Sequence, residues 1–212
     1  MNYYQEINLL PDAEISLSFI WQNIFQQVHI ALVEHKVSAK QSAIAVGFPD
    51  YGDKKFPLGS RLRLFAKEQV HLEKLSIHKW LDRLTEYSHV KTIKTVPDDV
   101  SWVSFSREHV KSPARIERDM LEKAKRWSKK SGRSVEECLS DLKINKPKSR
   151  SLLPFIFLYS QETKRRSPEQ SSQFPLFIQK QEVSSSLDGF FDCYGFSSKS
   201  NRPGIIGCVP QF

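Results

Sequence analysis

Histidines and a cluster of lysines and arginines are the residues of this 212-residue chain that could do chemistry. Histidine can accept and release a proton near neutral pH, so it serves often as a general base. The carboxylates are scattered, and the sequence holds no glycine-rich phosphate loop, HExxH or EF-hand pattern. The candidates that remain are six histidines: His29, His35, His71, His78, His89 and His109.

His29 stands out because it lies within a long helical pattern. From Ser16 to His35 the apolar residues recur at spacings of three and four, which predicts an amphipathic helix with His29 at the edge of its apolar stripe. A lone histidine there is more often a packed or surface residue than a catalyst. Ser160, after a predicted strand, and Tyr194, in an aromatic segment, would ordinarily be structural hydrogen-bonding residues. The pattern alone leaves both interpretations open.

The basic residues concentrate in residues 107–130, which hold nine lysines and arginines against four acids. Ser112 and Pro113 predict a capped helix start, and we expect the basic helix over 113–130. At about 100° per residue, one face carries Arg115, Arg118, Lys125, Arg126 and Lys129, flanked by Lys123 and Lys130, with Asp119 and Glu122 as minority acids. Opposite them lie Ile116, Met120, Ala124 and Trp127. Such a helix suits a phosphate backbone, and the alternative is a solvated charged face.

Composition limits the partner and the compartment. The net charge of +8 and the pI near 9.4 favour a polyanionic partner, either a nucleic acid or a membrane surface. No apolar run reaches the roughly 18 residues that span a bilayer. The three cysteines show no CxxC pairing, so a disulfide framework and a structural zinc site are both disfavoured. We therefore expect a soluble protein of a reducing compartment, without a structural zinc site.

The first half of the chain predicts a recurrent α+β unit. Its expected elements are strand Tyr3–Leu9, helix Ser16–His35, strands Ala43–Phe48 and Arg61–Phe65, helix Val70–Leu84 with a break near His78, and strand Val90–Val96. Strand, helix, two strands, helix, strand is the order of a ferredoxin-like (RRM-like) domain, which we place at residues 1–97.

The second half, residues 98–212, predicts a less regular α/β domain that carries the basic helix. Its other expected elements are strand Trp102–Phe105, helix Ser134–Leu142, and strands Phe155–Tyr159 and Phe174–Gln179.

Six short segments, taken together and in order, resemble one known family. They are QQVHIALVEH around His29, AVGFPD at 45–50, PFIFLYSQ at 154–161, QFPLFI at 173–178, FDCYGFS at 191–197 and the tail ending at residues 209–212. In them the chain resembles the endoribonuclease of type I-F CRISPR systems, which trims precursor CRISPR RNA at a stem-loop. The resemblance spans nearly the whole chain.

The resemblance implies an enzyme that uses no metal or cofactor, with His29, Ser160 and Tyr194 as its catalytic residues. In that family the ribose 2′-hydroxyl attacks the adjacent phosphate and leaves a 2′,3′-cyclic phosphate and a 5′-hydroxyl. His29 would remove the 2′-hydroxyl proton, Ser160 would hold the ribose in line, and Tyr194 would orient His29.

The resemblance also implies the RNA contacts. The expected phosphate contacts come from Arg115, Arg118, Lys123, Arg126 and Lys129. Arg107 matches a position that reads base edges at the foot of the stem, and Phe174 matches an aromatic that stacks beside the terminal pair or loop; a core strand residue is its alternative. The chain departs from the family at Asp119 and Glu122, on a face more uniformly basic in relatives, and at Phe105, where the family has a second arginine.

The expected partners are the CRISPR repeat hairpin, retained after cleavage, and other subunits of an RNA-guided surveillance complex. Target DNA would be met indirectly, no membrane is expected, and the location would be a prokaryotic cytoplasm. Two rivals stay open: a non-catalytic subunit that caps guide RNA by binding its hairpin, and a basic protein with an unrelated partner.

Overall fold

The computed structural model describes residues 1–39, 41–111, 113–144, 152–160, 173–184, 189–198 and 206–212. Its contacts divide the chain into two units, the first made of Met1–Glu108 with Pro154–Phe212 and the second of His109–Leu153. Our predicted division at residue 97 followed the order of elements along the chain, whereas this division follows packing. The two differ because the strands after residue 100 pack with the first half of the chain.

The first sheet of the first unit is antiparallel throughout. It contains β1 (Tyr3–Leu9), β2 (Ile44–Gly47), β3 (Arg61–Ala66), β4 (Ser88–Val90) and β5 (Lys94–Thr95). The strand order is β2-β3-β1-β4, and β5 pairs with the start of β1. The predicted α+β class is confirmed by this mixture of strands and helices; ferredoxin-like stays our interpretation of the element order.

The helix α1 (Leu17–Glu34) lies close to its predicted bounds. The hydroxyl of Ser16 caps it by accepting from the Phe19 backbone N–H at 3.4 Å. Its apolar stripe is fully buried in the core: Ile20, Trp21, Ile24, Phe25, Val28, Ala31 and Leu32. The burial of this stripe fixes the rotation of α1, and with it the direction in which His29 faces.

Two predicted elements are interrupted. The helix expected over Val70–Leu84, with a break near His78, consists of α2 (Gln69–Leu75), α3 (Ile77–Trp80) and a 3₁₀ turn. The first break is at Ser76, two residues before the predicted position, where the φ of 47° is left-handed. The strand expected over Val90–Val96 is wrong as one element, because its ends form β4 and β5 separately. Between them, the Lys91 backbone N–H donates to the Glu6 carbonyl at 2.8 Å.

The second sheet of the first unit contains β6 (Ser101–Glu108), β7 (Phe155–Tyr159), β8 (Gln173–Val183) and β9 (Val209–Gln211). Its strand order is β7-β8-β6-β9. The sequence did not predict β9, since Pro210 argues against a strand; it is tolerated here because β9 lies at the edge of the sheet. On β7, Ile156 and Leu158 are buried and α1 packs against this strand.

A buried arginine ties this sheet's last strand to the first sheet. Arg63 on β3 donates from Nε to Oε2 of Glu6 at 2.7 Å and from Nη1 to the Phe212 backbone oxygen at 2.6 Å. Its guanidinium also lies 3.9 Å from the centroid of the Phe212 ring. Burial favours a raised pKa for Glu6, but hydrogen bonds from Lys91 and Arg63 outweigh it and lower that pKa.

The second unit is a pair of helices, α4 (Pro113–Ser131) and α5 (Val135–Ile144), packed against each other. The predicted cap at Ser112 lies outside the described residues. In the part of the chain that the structure describes, every helix is too short or too polar to cross a lipid bilayer.

Candidate active site and basic helix

His29 stacks on Tyr194 in the first unit. The two ring centroids are 4.1 Å apart and the ring planes differ by 9°. Nδ1 of His29 lies 2.9 Å from the backbone oxygen of Cys193. A carbonyl oxygen can only accept, so in the neutral ring Nδ1 carries the hydrogen and Nε2 carries the lone pair that can take a proton. In this tautomer Nε2 is the nitrogen that can act as a general base.

The turn that presents Tyr194 is held by its own side chains and a glycine. Oδ1 of Asp192 accepts from the backbone N–H of Tyr194 at 2.8 Å and of Phe196 at 3.0 Å. Gly195 has a φ of 74°, and a Cβ there would lie 2.5 Å from Cγ2 of Val46. The backbone conformation and the close approach both require glycine at the position after Tyr194.

Arg107, near the end of β6, lies beside two aromatic rings. Its guanidinium carbon is 5.4 Å from the ring centroid of Phe174 and 5.5 Å from that of Tyr194. Both distances are within the range of cation–π contacts. Phe174 on β8 is half-buried and packs against the core, as a core strand residue would. Its stacking beside RNA stays a prediction. Phe174, Arg107, Tyr194 and His29 thus form one continuous row.

The electrostatics keep His29 neutral. Burial lowers its pKa below the ordinary histidine value, and the positive charge of Arg107 lowers it further, against the opposing bond to the Cys193 carbonyl. Burial also raises the pKa of the Tyr194 hydroxyl. Near pH 7 the site therefore holds an uncharged imidazole that can act as a base.

Ser160 is the residue directly after β7, whose last residue is hydrogen-bonded to α1. The backbone N–H of Tyr159 donates to Oε1 of Gln26 at 2.8 Å. Gln26 and His29 are three residues apart on α1, so they share one face of that helix. This hydrogen bond holds Tyr159, the residue before Ser160, against the helix face that carries His29.

On the second unit, the five predicted phosphate-binding residues are all exposed: Arg115, Arg118, Lys123, Arg126 and Lys129. The minority acids pair with lysines, Asp119 with Lys111 at 2.7 Å and Glu122 with Lys125 at 3.0 Å. The hydrogen bond from Lys111 lowers the pKa of Asp119.

The spacing predicted four packed residues on the opposite face of α4, and three of them are buried. Ile116, Met120 and Ala124 are buried, whereas Trp127 remains 37% exposed. The guanidinium of Arg133 lies 5.6 Å from the Trp127 ring centroid, so this ring is covered by a cation instead of the core.

The structure brings together His29, Tyr194, Arg107 and Phe174, and it places Ser160 at the strand end tied to α1. The basic loop with Lys164, Arg165 and Arg166 lies outside the described residues. The sequence did not predict three groups that hold the site residues in place: the Cys193 carbonyl, Asp192 and Gln26. Within the described ranges, no three His, Cys, Asp or Glu side chains lie together as a metal site would need.

Comparisons with known proteins agree on one group. The family model described as "CRISPR-associated protein (Cas_Csy4)" matches residues 4–212. A protein named CRISPR-associated endonuclease Cas6/Csy4 from Escherichia coli (strain UTI89 / UPEC) is 30% identical over 205 residues, which cover 96% of this chain and 99% of that protein. A protein of the same name from Pseudomonas aeruginosa (strain UCBPP-PA14) is 28% identical over 215 residues, covering all of both chains.

Proposed function

This chain belongs to the Cas_Csy4 family of CRISPR-associated proteins, and from that premise we propose that it cuts CRISPR repeat stem-loops in precursor RNA without a metal. The family resemblance read from the sequence is confirmed by the match over residues 4–212. The observation that supports catalysis most strongly is the state of His29: its Nδ1 is committed to the Cys193 carbonyl and its pKa is lowered by burial. A neutral imidazole with Nε2 available is a working general base.

In the proposed reaction, Nε2 of His29 removes the proton of the ribose 2′-hydroxyl at the cleavage site. The 2′ oxygen then attacks the adjacent phosphorus, and the bond from phosphorus to the 5′ oxygen breaks. The departing oxygen takes up a proton from water and becomes a 5′-hydroxyl, His29 returns its proton to water, and the other product keeps a 2′,3′-cyclic phosphate. DNA has no 2′-hydroxyl, so it could bind but could not react.

The other two residues act on geometry. Tyr194 would orient the imidazole by stacking on it at 4.1 Å. Ser160 would hold the 2′-hydroxyl and ribose in line with the departing oxygen, as the family resemblance implies. Alignment of this kind contributes strongly to rate because attack requires the reacting atoms to be close and in line.

Recognition would come from two places. Arg115, Arg118, Lys123, Arg126 and Lys129 of α4 would bind phosphates of the A-form stem, registering its shape and length. In the first unit, Arg107 would make a bidentate contact to a guanine at the foot of the stem, and Phe174 would stack near the terminal pair or loop. After cleavage the protein would keep the hairpin and join other subunits of a surveillance complex.

The test uses a labelled repeat hairpin in excess EDTA and a matched hairpin with one 2′-deoxy sugar before the cut. We expect prompt cleavage of the ribose substrate, at least about 10³-fold slower cleavage of the deoxy substrate because its nucleophile is missing, and equal binding of both. Cleavage that stops in EDTA and returns with a divalent cation would contradict the metal-free reaction.

Tight binding of both hairpins without cleavage of either would support the rival function, a subunit that only caps guide RNA. Equal affinity for unrelated hairpins would instead favour a generic basic protein. The paired substrates separate these outcomes because binding and cleavage are measured on the same molecules.

The role of α4 predicts a change in salt dependence. Replacing Arg118 with glutamine should make the slope of log affinity against log salt concentration shallower by about 0.9, since one phosphate contact is lost. The matched control is Lys125→Gln, because the Lys125 ammonium is already paired with Glu122 at 3.0 Å; its slope should change less. An unchanged slope for Arg118→Gln would remove Arg118 from the phosphate contacts.

A further inference from the structure

We propose that Gln26 is a positioning residue for cleavage, which aligns Ser160 with His29 by tying the end of β7 to α1. The inference rests on the proposed function, since it concerns the geometry of that same site. It differs from the family resemblance, in which Gln26 carried no assignment.

The geometry is a direct hydrogen bond between the two elements that carry the site, α1 and β7, which also pack against each other. The side-chain oxygen of Gln26 accepts from the backbone N–H of Tyr159 at 2.8 Å. Tyr159 is the last residue of β7, and Ser160 is the next residue along the chain. On the helix side, Gln26 precedes His29 by three residues and shares its face. The contact therefore links the backbone at Ser160 to the helix turn that carries the imidazole.

The second observation is the other end of the same side chain. Gln26 is 8% exposed, and its Nε2 is buried with no hydrogen-bond partner among the described residues. The Tyr159 N–H assigns the two amide atoms, because only the oxygen can accept it. A buried donor without a partner is costly, and buried polar groups are normally paired.

This cost argues against a purely structural role for the residue. Methionine has nearly the same length and would fill the same space without burying an unpaired donor. What methionine lacks is a strong acceptor for the Tyr159 N–H, since a thioether sulfur accepts hydrogen bonds only weakly. The contribution that distinguishes glutamine at position 26 is thus the fixed position of the strand end, which is what in-line attack on a phosphate needs.

Gln22 provides a matched comparison on the same helix face. It is buried one turn earlier on α1. Its Oε1 accepts from Nε2 of Gln173, the first residue of β8, at 3.4 Å. It therefore also joins α1 to the second sheet, but by a longer contact between two side chains and at a strand end without Ser160.

The experiment compares Gln26→Met with Gln22→Met in the full chain on a labelled repeat hairpin. We expect Gln26→Met to lower the single-turnover rate constant by about 100-fold, the size of effect that a misplacement of about 1 Å produces. Hairpin Kd should stay within about threefold of the wild type, and hydrogen exchange at the Tyr159 amide should become faster. Gln22→Met should leave all three quantities near wild type. Gln26→Asn keeps an amide that is one methylene too short, and it should lose rate as Gln26→Met does.

The outcomes are separable. If the wild type cuts the hairpin and both Gln26 variants cut it within about threefold of that rate, the proposal is overturned. Thermal unfolding of each variant is measured as well, and the proposal is also overturned if rate, hairpin affinity and thermal stability all fall together, since that is the result of general destabilisation. A wild type that binds the hairpin without cutting it would overturn the proposed function itself, whatever the variants do.

Discussion

Replacing His29 with alanine is expected to slow hairpin cleavage by about 10²- to 10⁴-fold, the usual contribution of a positioned general base. Alanine removes the Nε2 lone pair, and no solvent base would be held beside the 2′-hydroxyl in its place. The affinity for the hairpin should change little, because the proposed phosphate contacts lie on α4. The measurement is the single-turnover rate constant with protein in excess over labelled RNA.

The matched control is His35→Ala, at the C-cap of the same helix. His35 also has its Nδ1 beside a backbone oxygen, that of Ala31 at 2.9 Å, and its ring lies edge-on to Trp80. His35 is thus also an imidazole with Nδ1 at a backbone oxygen, but it lacks the stack on Tyr194 and the nearby end of β7. His35→Ala should therefore cleave at nearly the wild-type rate. Equal losses in the two variants would mean that His29 supports the helix and not the reaction.

The lowered pKa of His29 gives this prediction a pH dependence. A base works when it is unprotonated, so kcat/KM should rise with pH and level off above the pKa of His29 in the free protein. Burial and the charge of Arg107 lower that pKa, so the rise should be centred below about 6.5, the ordinary histidine value. In Arg107→Met the rise should move to higher pH, since one cause of the lowering is removed. A rise centred above 6.5 in the wild type would contradict the assignment.

The sequence predicted best those elements whose signal is local. The strand β1 has the predicted bounds Tyr3–Leu9, and α1 starts one residue after the predicted Ser16, which caps it. Alternation and a three-to-four spacing are properties of neighbouring residues, so they are visible without a fold. The same holds for β7, whose bounds Phe155–Tyr159 were predicted from its apolar run.

Elements defined by distant partners were harder to predict. The strand β9 contains Pro210 and forms because β6 pairs with it, about a hundred residues away along the chain. The separation of β4 from β5 follows from Lys91, whose backbone and side chain both bind Glu6. Neither of these long-range contacts produces a periodic pattern in the residues of β9, β4 or β5.

The candidate site divides in the same way. His29, Ser160 and Tyr194 entered through a resemblance, and the structure adds the stack and the strand tie that relate them. The Cys193 carbonyl could not be predicted, because every residue has a backbone oxygen and only the fold selects one. Asp192 had a usable signal, an aspartate two residues before Tyr194 and close to a glycine, which is typical of a side chain that binds the backbone of its own turn.

Replacing Arg63 with methionine is expected to lower the free energy of unfolding, which is the second large effect. Arg63 donates both to the nearly buried Glu6 carboxylate and to the Phe212 backbone oxygen. Removing one partner of a buried ion pair usually costs about 3–5 kcal/mol, and we expect the low end, about 3 kcal/mol, because Lys91 still donates to Glu6 at 2.6 Å. The measurement is the free energy of unfolding from urea titration followed by tryptophan fluorescence.

Arg61→Met is the control, because Arg61 lies two residues away on the same strand and also pairs with a carboxylate, that of Asp50. The Arg61 side chain is 39% exposed, against 7% for Arg63. Water screens an exposed pair and lowers the cost of losing it, so Arg61→Met should cost less than about 1 kcal/mol. Equal costs would mean that burial does not set the value of these pairs. A large loss confined to Arg63 would instead show that the Glu6–Arg63–Phe212 contact is one of the contacts that hold the end of β9 to the first sheet, beside the hydrogen bond from Gln211 to the Pro49 backbone oxygen at 2.8 Å.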